Sequence, residues 1–366
     1  MLIKVRRALE NNGNLNVVVL KMKKSYIKAS LFFAVILFIA GYYLYSTLNR
    51  KATPTVIFED TSLAMGIIED PVNWLVLVAQ EGGFFQKYGL SPSIHFYPSG
   101  KRALQGLLDG TVDITSSSEV PIALAGFRRK DFRILAAVGS SDDEVKIVSR
   151  KDHGVFKPAD LAGKHIATQS GSAIHFFMHL FLLKNGIDNE VKRTFMLIEN
   201  LPGALHKGTL DAISTREPFV TQTIKLLGEN AIIFSVPGLY RKSSHLVIRK
   251  EILDTRPGVV TALHKALLDA GQWIKHYPEK AVKIITAKTG IQTGDVEKIL
   301  QYFDLRLRFD QSTMDILDDT AEWAVANGLV EQQNRPNYLL LIDPGILSQL
   351  APTAVSVIYS KDRHEN

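Results

Sequence analysis

The sequence predicts an α/β protein of two similar lobes with a hinge, preceded by one transmembrane helix and followed by a helical C-terminal segment. Three observations carry this reading. Strand-like runs alternate with helix-like stretches that stop at glycine. The same order of elements returns in the second half of the chain, with the same local text. One long uncharged apolar run lies near the N-terminus, behind a cluster of lysines.

The N-terminal segment comes first. Residues 29–48, ASLFFAVILFIAGYYLYSTL, carry no charge. At about 1.5 Å per residue a helix of this length spans about 30 Å, enough to cross a bilayer. Lys21, Lys23, Lys24 and Lys28 precede it, and Tyr42, Tyr43 and Tyr45 suit the far interface. Residues 1–28 then read as a basic cytoplasmic tail, and everything after Asn49 faces outward. A cleaved signal is the rival reading, although no clean small-x-small cleavage site follows. The stretch from Met22, MKKSYIKAS, also reads as a start for export.

This segment explains the net charge of +6. Residues 1–51 hold nine Lys or Arg against the single acid Glu10, which leaves 34 bases and 36 acids for the rest of the chain. The body is close to neutral, so the basic excess marks topology and not a nucleic-acid surface. The chain has no cysteine, which excludes disulfides, thiolate chemistry and a cysteine-borne lipid anchor. With 46% apolar and 22% charged residues over 366 positions, it can build a large core without covalent staples.

After a polar linker at 49–55, the first lobe (55–149) begins with TVIF (55–58) as a strand. A helix follows over WLVLVAQEGGFFQKY, closed by Gly89. SIHFY is a strand, KRALQGLLDG a helix stopped by Gly110, and VDIT a strand leading into SSSE. The second lobe (150–240) repeats this order. KHIAT is a strand, AIHFFMHLFLLKN a helix stopped by Gly186, RTFMLIE a strand, LPGALHKG a helix stopped by Gly208, and LDAIST a strand. KYGL (87–90) aligns with KNGI (184–187), and LLDGTVD (107–113) with LHKGTLD (205–211). The glycine-to-glycine gaps are 21 and 22 residues. The crossings between lobes are placed near 149–152 and 238–250. Residues 241–366 return to the first lobe and end in helices, among them VVTALHKALLDAGQWIKHY and STMDILDDTAEWAVANG.

Parallel α/β sheets bind ligands beyond the carboxyl ends of their strands, and two such rims facing one another form a cleft that a hinge can close. The loops predicted there are Ser99–Gly100, Ser116–Glu119, Ser140–Ser141, Ser170–Gly171–Ser172 and Thr215–Glu217. Hydroxyls and free backbone N–H groups suit an oxyanion. Ser170 and Ser172 head a helix, a place that serves equally for plain capping. Arg216 is the candidate two-pronged anion donor, with Glu217 beside it; a local ion pair between them is the alternative. In the first lobe the candidates are Ser99, Gly100, Ser117 and Ser118, with Glu119 beside them. Trp74 is a candidate aromatic wall, and His175 a candidate donor one turn into its helix.

AQEGGFFQKYGL, YPSG, GTVDITSSSEVP, DLAGKHIATQSGSAIH and REP, in this order, resemble the nitrate/sulfonate/taurine type of substrate-binding protein of ATP-driven (ABC) importers, over about residues 55–280. The resemblance implies a type II two-lobed periplasmic-binding-protein fold, a small solute in the cleft, and an ABC permease with its ATPase as partners. No cofactor is assigned, and no catalytic constellation stands out in the sequence, so the chain is read as a binder and not an enzyme. Members that bind or make thiamine-pyrimidine precursors share the fold, so a precursor binder, an enzyme on the same fold and a membrane-tethered sensor stay as alternatives. The sequence holds no H-E-x-x-H, G-x-S-x-G or P-loop motif. His175 and His179 stand at i and i+4 but lack an adjacent acidic third ligand, so no metal site is assigned.

Overall fold

The computed structural model describes residues 61–359. The membrane span expected at 29–48, the tail before it and the strand expected at 55–58 lie outside the described residues. No helix among the described residues is long and apolar enough to cross a membrane. The first described strand is β1 (Ser62–Ile68), a run the sequence reading passed over.

Two five-stranded sheets organise the chain. The first combines β1 with β2 (Ser91–Tyr97), β3 (Ile114–Ser118), β4 (Phe132–Ser141) and β10 (Lys242–Arg249), in the order β2-β1-β3-β10-β4. The second combines β5 (Val145–Arg150), β6 (His165–Thr168), β7 (Lys192–Phe195), β8 (Ala212–Arg216) and β9 (Ala231–Phe234), in the order β7-β6-β8-β5-β9. The two orders correspond strand for strand. In each, three parallel strands are joined by a fourth that runs antiparallel and belongs, in chain order, next to a crossing between the sheets.

The repeated text has a structural reason. Gly89 and Gly186 adopt φ of 75° and 68°, and Gly110 and Gly208 adopt 75° and 74°, a left-handed backbone that ends each helix and that residues with a Cβ rarely take. The Asp that closes each L-x-x-G-T-x-D stretch then ties strands together. Asp113 accepts from the Ala64 backbone N–H at 3.0 Å, and Asp211 accepts from that of His165 at 2.7 Å. The partner strand adds Arg249 to Asp113 at 2.5 Å and the loop after β5 adds His153 to Asp211 at 2.7 Å.

The first crossing runs over 142–144, between β4 and β5, ahead of the 149–152 stretch where the sequence placed it. The run VKIVSR is a strand of the second sheet, flanked by β8 and β9. The second crossing covers 235–241, and the segment expected to carry it ends instead as β10, a central strand of the first sheet. Both strands are mostly buried and apolar in their middle, which is why they are recruited as sheet centres and not left as linkers.

The cores follow the sheets. Leu63, Met65, Ile67, Phe85, Ile134, Leu246 and Leu263 belong to one buried cluster, and Ile147, Ile166, Phe177, Phe181, Leu205 and Ile213 to another. The C-terminal helix Ser312–Ala326 serves both. Met314, Leu317 and Ala321 join the first cluster, whereas Trp323 and Ala324 join the second together with Val120.

Candidate functional site

The carboxyl ends of the two sheets' parallel strands meet across the cleft. Pro98, Ser99 and Gly100 follow β2, and Gln169 to Ser172 follow β6. The Gln169 side-chain amide donates to Ser99 Oγ at 3.1 Å and its oxygen accepts from the Ile198 N–H at 3.3 Å. Lys101 Nζ reaches the Ser170 carbonyl at 3.0 Å, and Arg102 pairs with Glu199 at 2.6 Å. Gly171 has φ of +65°, and a Cβ there would lie 3.0 Å from Leu124 of the opposite lobe. The rims are thus closed on one another at side-chain contact distance.

Arg216, at the tip of β8, crosses the same gap. Nη2 donates to the Pro98 carbonyl at 2.9 Å, Nη1 donates to the carbonyl of Glu217 at 2.5 Å, and Nη1 lies 3.3 Å from Asp70 Oδ2. Asp70 follows β1 and is held from the other side by Lys242 at 2.8 Å, which also grips Glu144 at 2.7 Å. Glu144 ends the first crossing and Lys242 opens β10 after the second, so the cluster sits where the chain passes between lobes. All four side chains are at most 4% exposed. Asn73 donates to Asp70 and accepts from Ser244, which fixes the carboxylate's orientation.

Burial alone would neutralise such groups, and here the pairing decides which do. Burial opposes the Asp70 charge, yet Lys242 and Arg216 more than offset it and hold its pKa below the ordinary aspartate value. Glu144 is raised to about 7 by burial against the attraction of Lys242, with Asp70 adding repulsion. Glu119 is also raised to about 7 by burial, although it accepts from Ser243 N–H at 2.7 Å and from Tyr240 Oη at 3.0 Å. Two carboxylates that titrate near neutrality therefore brace the second crossing and its exit.

Several candidate residues take other places than expected. Trp74 is 4% exposed in the first lobe's core and walls no cleft; the helix it opens is buried through its first two turns. Ser117 and Ser118 are not on a loop: β3 runs through both, Ser117 donates to the Gly100 carbonyl at 3.0 Å, and Ser118 starts the helix Glu119–Gly126. Ser99 does cap, accepting from Arg102 N–H at 3.4 Å, while Ser172 turns its hydroxyl to the Gln169 carbonyl at 2.5 Å. His175 Nδ1 accepts from the Gly171 N–H at 3.3 Å, and burial lowers its pKa to about 4, so it is a neutral acceptor packed between Phe195 and Trp323. Glu217 accepts from the Thr221 N–H, in the first turn of the following helix, at 3.2 Å.

Sequence reasoning brought Ser99, Gly100, Ser170, Gly171, Ser172 and Arg216 to one cleft. It missed Asp70, Lys101, Glu144, Gln169 and Lys242, whose roles depend on partners far away in the chain. Their only sequence signal is a charge or amide near the end of a strand or, for Lys101, in the first turn of a helix, a pattern shared by many surface residues.

The NMT1/THI5-like family model matches residues 71–281, which include both rims, Glu144, Arg216 and Lys242 and begin one residue after Asp70. The chain belongs to the NMT1/THI5-like family. It is 25% identical over 239 residues to the taurine-binding periplasmic protein of Escherichia coli (strain K12), covering 61% of this chain and 72% of that protein. Its fold matches the alkanesulfonate-binding protein SsuA from Xanthomonas axonopodis pv. citri, a structure bound to MOPS, with a TM-score of 0.65 at 20% identity over 82% of this chain and 99% of that one. The periplasmic nitrate-binding protein NrtA from Synechocystis PCC 6803 matches with a TM-score of 0.63 at 13% identity, over 80% and 89% of the two chains. At these identities the structural matches establish the two-lobed periplasmic-binding-protein fold.

Proposed function

We propose that this chain is the solute-binding component of an ATP-driven importer, and that its lobes close on a small anion such as a sulfonate or nitrate. The observation that carries the reading is Arg216, buried at the tip of a second-lobe strand with its guanidinium against the first lobe. Around it stand Ser99, Gln169 and the starts of the helices Gly100–Leu108 and Ala173–Lys184, which supply hydroxyl, amide and backbone donors. An oxyanion entering the cleft takes Arg216 from Asp70, and Asp70 keeps Lys242 as its partner. Asp70 and Glu144 then share Lys242, so the contacts of the anion with Arg216 and the cleft donors must outweigh both its own dehydration and the loss of Asp70's second cation.

The relatives support the class of solute: one is named for taurine, another for alkanesulfonate, a third for nitrate. A binding protein delivers to a permease and its ATPase, and the family relatives named here are binding proteins, so the chain is read as no enzyme. Residues 29–48 tether it to the membrane, with residues 1–28 inside and the lobes facing the periplasm.

The test is a thermal-shift and calorimetric screen of the full chain against taurine, alkanesulfonates, nitrate, bicarbonate, amino acids and pyrimidines. Any tight ligand raises the melting point by mass action. Saturable binding of a sulfonate or nitrate supports the reading, and binding confined to a pyrimidine removes it.

A further inference from the structure

A crevice of about 640 Å³ opens beside the second crossing, and of the rim residues named above Glu119 reaches it. Helix Ala173–Lys184 gives it Phe176, His179 and Leu180, helix Ser312–Ala326 gives it Asp315, Ile316, Asp319, Glu322 and Trp323, and the crossing closes it with Leu239 to Arg241. Ser99, Gly100, Ser170, Gly171, Arg216 and Glu217 take no part in it. We infer that this crevice is a second ligand site, for an organic cation bearing a protonated or quaternary amine.

The walls have the two properties such a ligand needs. Phe176, Tyr240 and Trp323 are each at most 5% exposed and stand edge to face, Phe176 at 5.5 Å from Tyr240 and 5.2 Å from Trp323. Aromatic surface of this kind accepts alkylammonium groups that water solvates poorly. The Trp323 indole N–H is buried behind this wall with no hydrogen-bond partner among the described residues.

The charge is one-sided. Asp315, Asp319 and Glu322 stand at i, i+4 and i+7 on one helix face, and Glu119 lies in the opposite wall. Among the described residues, the carboxylates of Asp315 and Asp319 have no ion-pair or hydrogen-bond partner. Partial burial raises the Asp319 pKa, and repulsion from Glu322, Asp315 and Asp318 raises it further. The cations nearby are already committed. Arg241 donates to Ser140 at 3.1 Å and lies 3.5 Å from Asp304; His179 lies 3.4 Å from Asp188, with its pKa lowered by burial; Arg335 pairs with Asp318 and Glu322. A cation in the crevice relieves this repulsion, and an anion adds to it.

The probes are choline and benzyltrimethylammonium, with 3,3-dimethylbutanol as the neutral shape match for choline, titrated calorimetrically into the full chain. Saturable binding of either cation, at least about tenfold tighter than the neutral alcohol, supports the site. The double variant Asp315→Asn, Asp319→Asn should lose at least about tenfold in cation affinity while its melting point without ligand and its response to cleft anions stay unchanged. Arg216→Ala should leave cation binding intact, which separates failure of this site from failure of the cleft reading. Equal binding of the alcohol, no saturation by either cation below about 10 mM, or full cation affinity in the double variant would each overturn the inference.

Discussion

Asp113 and Asp211 make the same contact in the two lobes: each carboxylate accepts a backbone N–H from the first parallel strand of its own sheet, Ala64 in one and His165 in the other. The backbone answers in kind, since the N–H of Asp113 donates to the Ala64 carbonyl at 2.8 Å and that of Asp211 to the His165 carbonyl at 2.9 Å. One short sequence signature thus performs one structural task twice. Asp113→Ala and Asp211→Ala should each destabilise the fold by about 1.5–3 kcal/mol, the range for hydrogen bonds to a charged group. Urea unfolding monitored by circular dichroism checks this, and a loss below about 0.5 kcal/mol for both would refute the shared role.

Arg216→Ala should weaken binding of the cleft anion by at least about tenfold, because a charged hydrogen bond inside a closed cleft is worth about 1.5–3 kcal/mol. Calorimetry with the solute found in the screen decides it. Unchanged affinity would remove Arg216 from the site.

Lys242→Met leaves Asp70 and Glu144 buried with one cation between them, where wild type has two. Breaking a buried pair on one side costs about 3–5 kcal/mol, a large share of the roughly 5–15 kcal/mol that typical domains have, so this variant should be clearly less stable. Adding Glu144→Gln should recover part of the loss, since the remaining Asp70 then has Arg216 to itself. Equal stability of the single and double variants in urea would contradict this account.

Glu119 binds its proton more tightly in the folded chain than in the unfolded one, with a pKa raised from 4.5 to about 7 by burial. Its contribution is therefore complete below pH 4.5 and is lost as the pH rises through about 7, a change of about 3 kcal/mol in all. His175 acts in the opposite sense: its pKa is depressed from 6.5 to about 4, so its contribution is present above 6.5 and is lost as the pH falls through about 4. Glu119→Gln mimics the protonated acid and removes only the first trend. The stability of wild type relative to this variant should fall between about pH 4.5 and 7 and level off above that; a flat difference in denaturant titrations would show that Glu119 does not titrate there.

Gly171 occupies the left-handed region at φ of +65°, and an added Cβ would meet Leu124 across the cleft. Gly171→Ala pays about 1–2 kcal/mol of backbone strain and also pushes the lobes apart. Solute affinity should fall by about tenfold, and small-angle scattering with solute present should report a larger radius than wild type. A wild-type affinity would show that the lobes need not approach as closely as here.

By itself the sequence determined the alternation of strands and helices, the doubling of the unit, and the small polar residues that head the helices at Ser99–Gly100 and Ser170–Ser172. Those features are local: a glycine that must end a helix, or a serine that follows a strand, is legible within a few residues of its neighbours. Only the tertiary structure decided which strands cross between sheets, that Ser117 and Ser118 continue a strand, that Trp74 is core, and that His175 accepts a hydrogen bond. It alone joined Asp70, Glu144, Arg216 and Lys242. The physical reason is that the fate of a charged or aromatic side chain depends on what desolvates it and what pairs with it. Here both come from segments far away in the chain, brought close by two crossings whose strands look in sequence like any other apolar run.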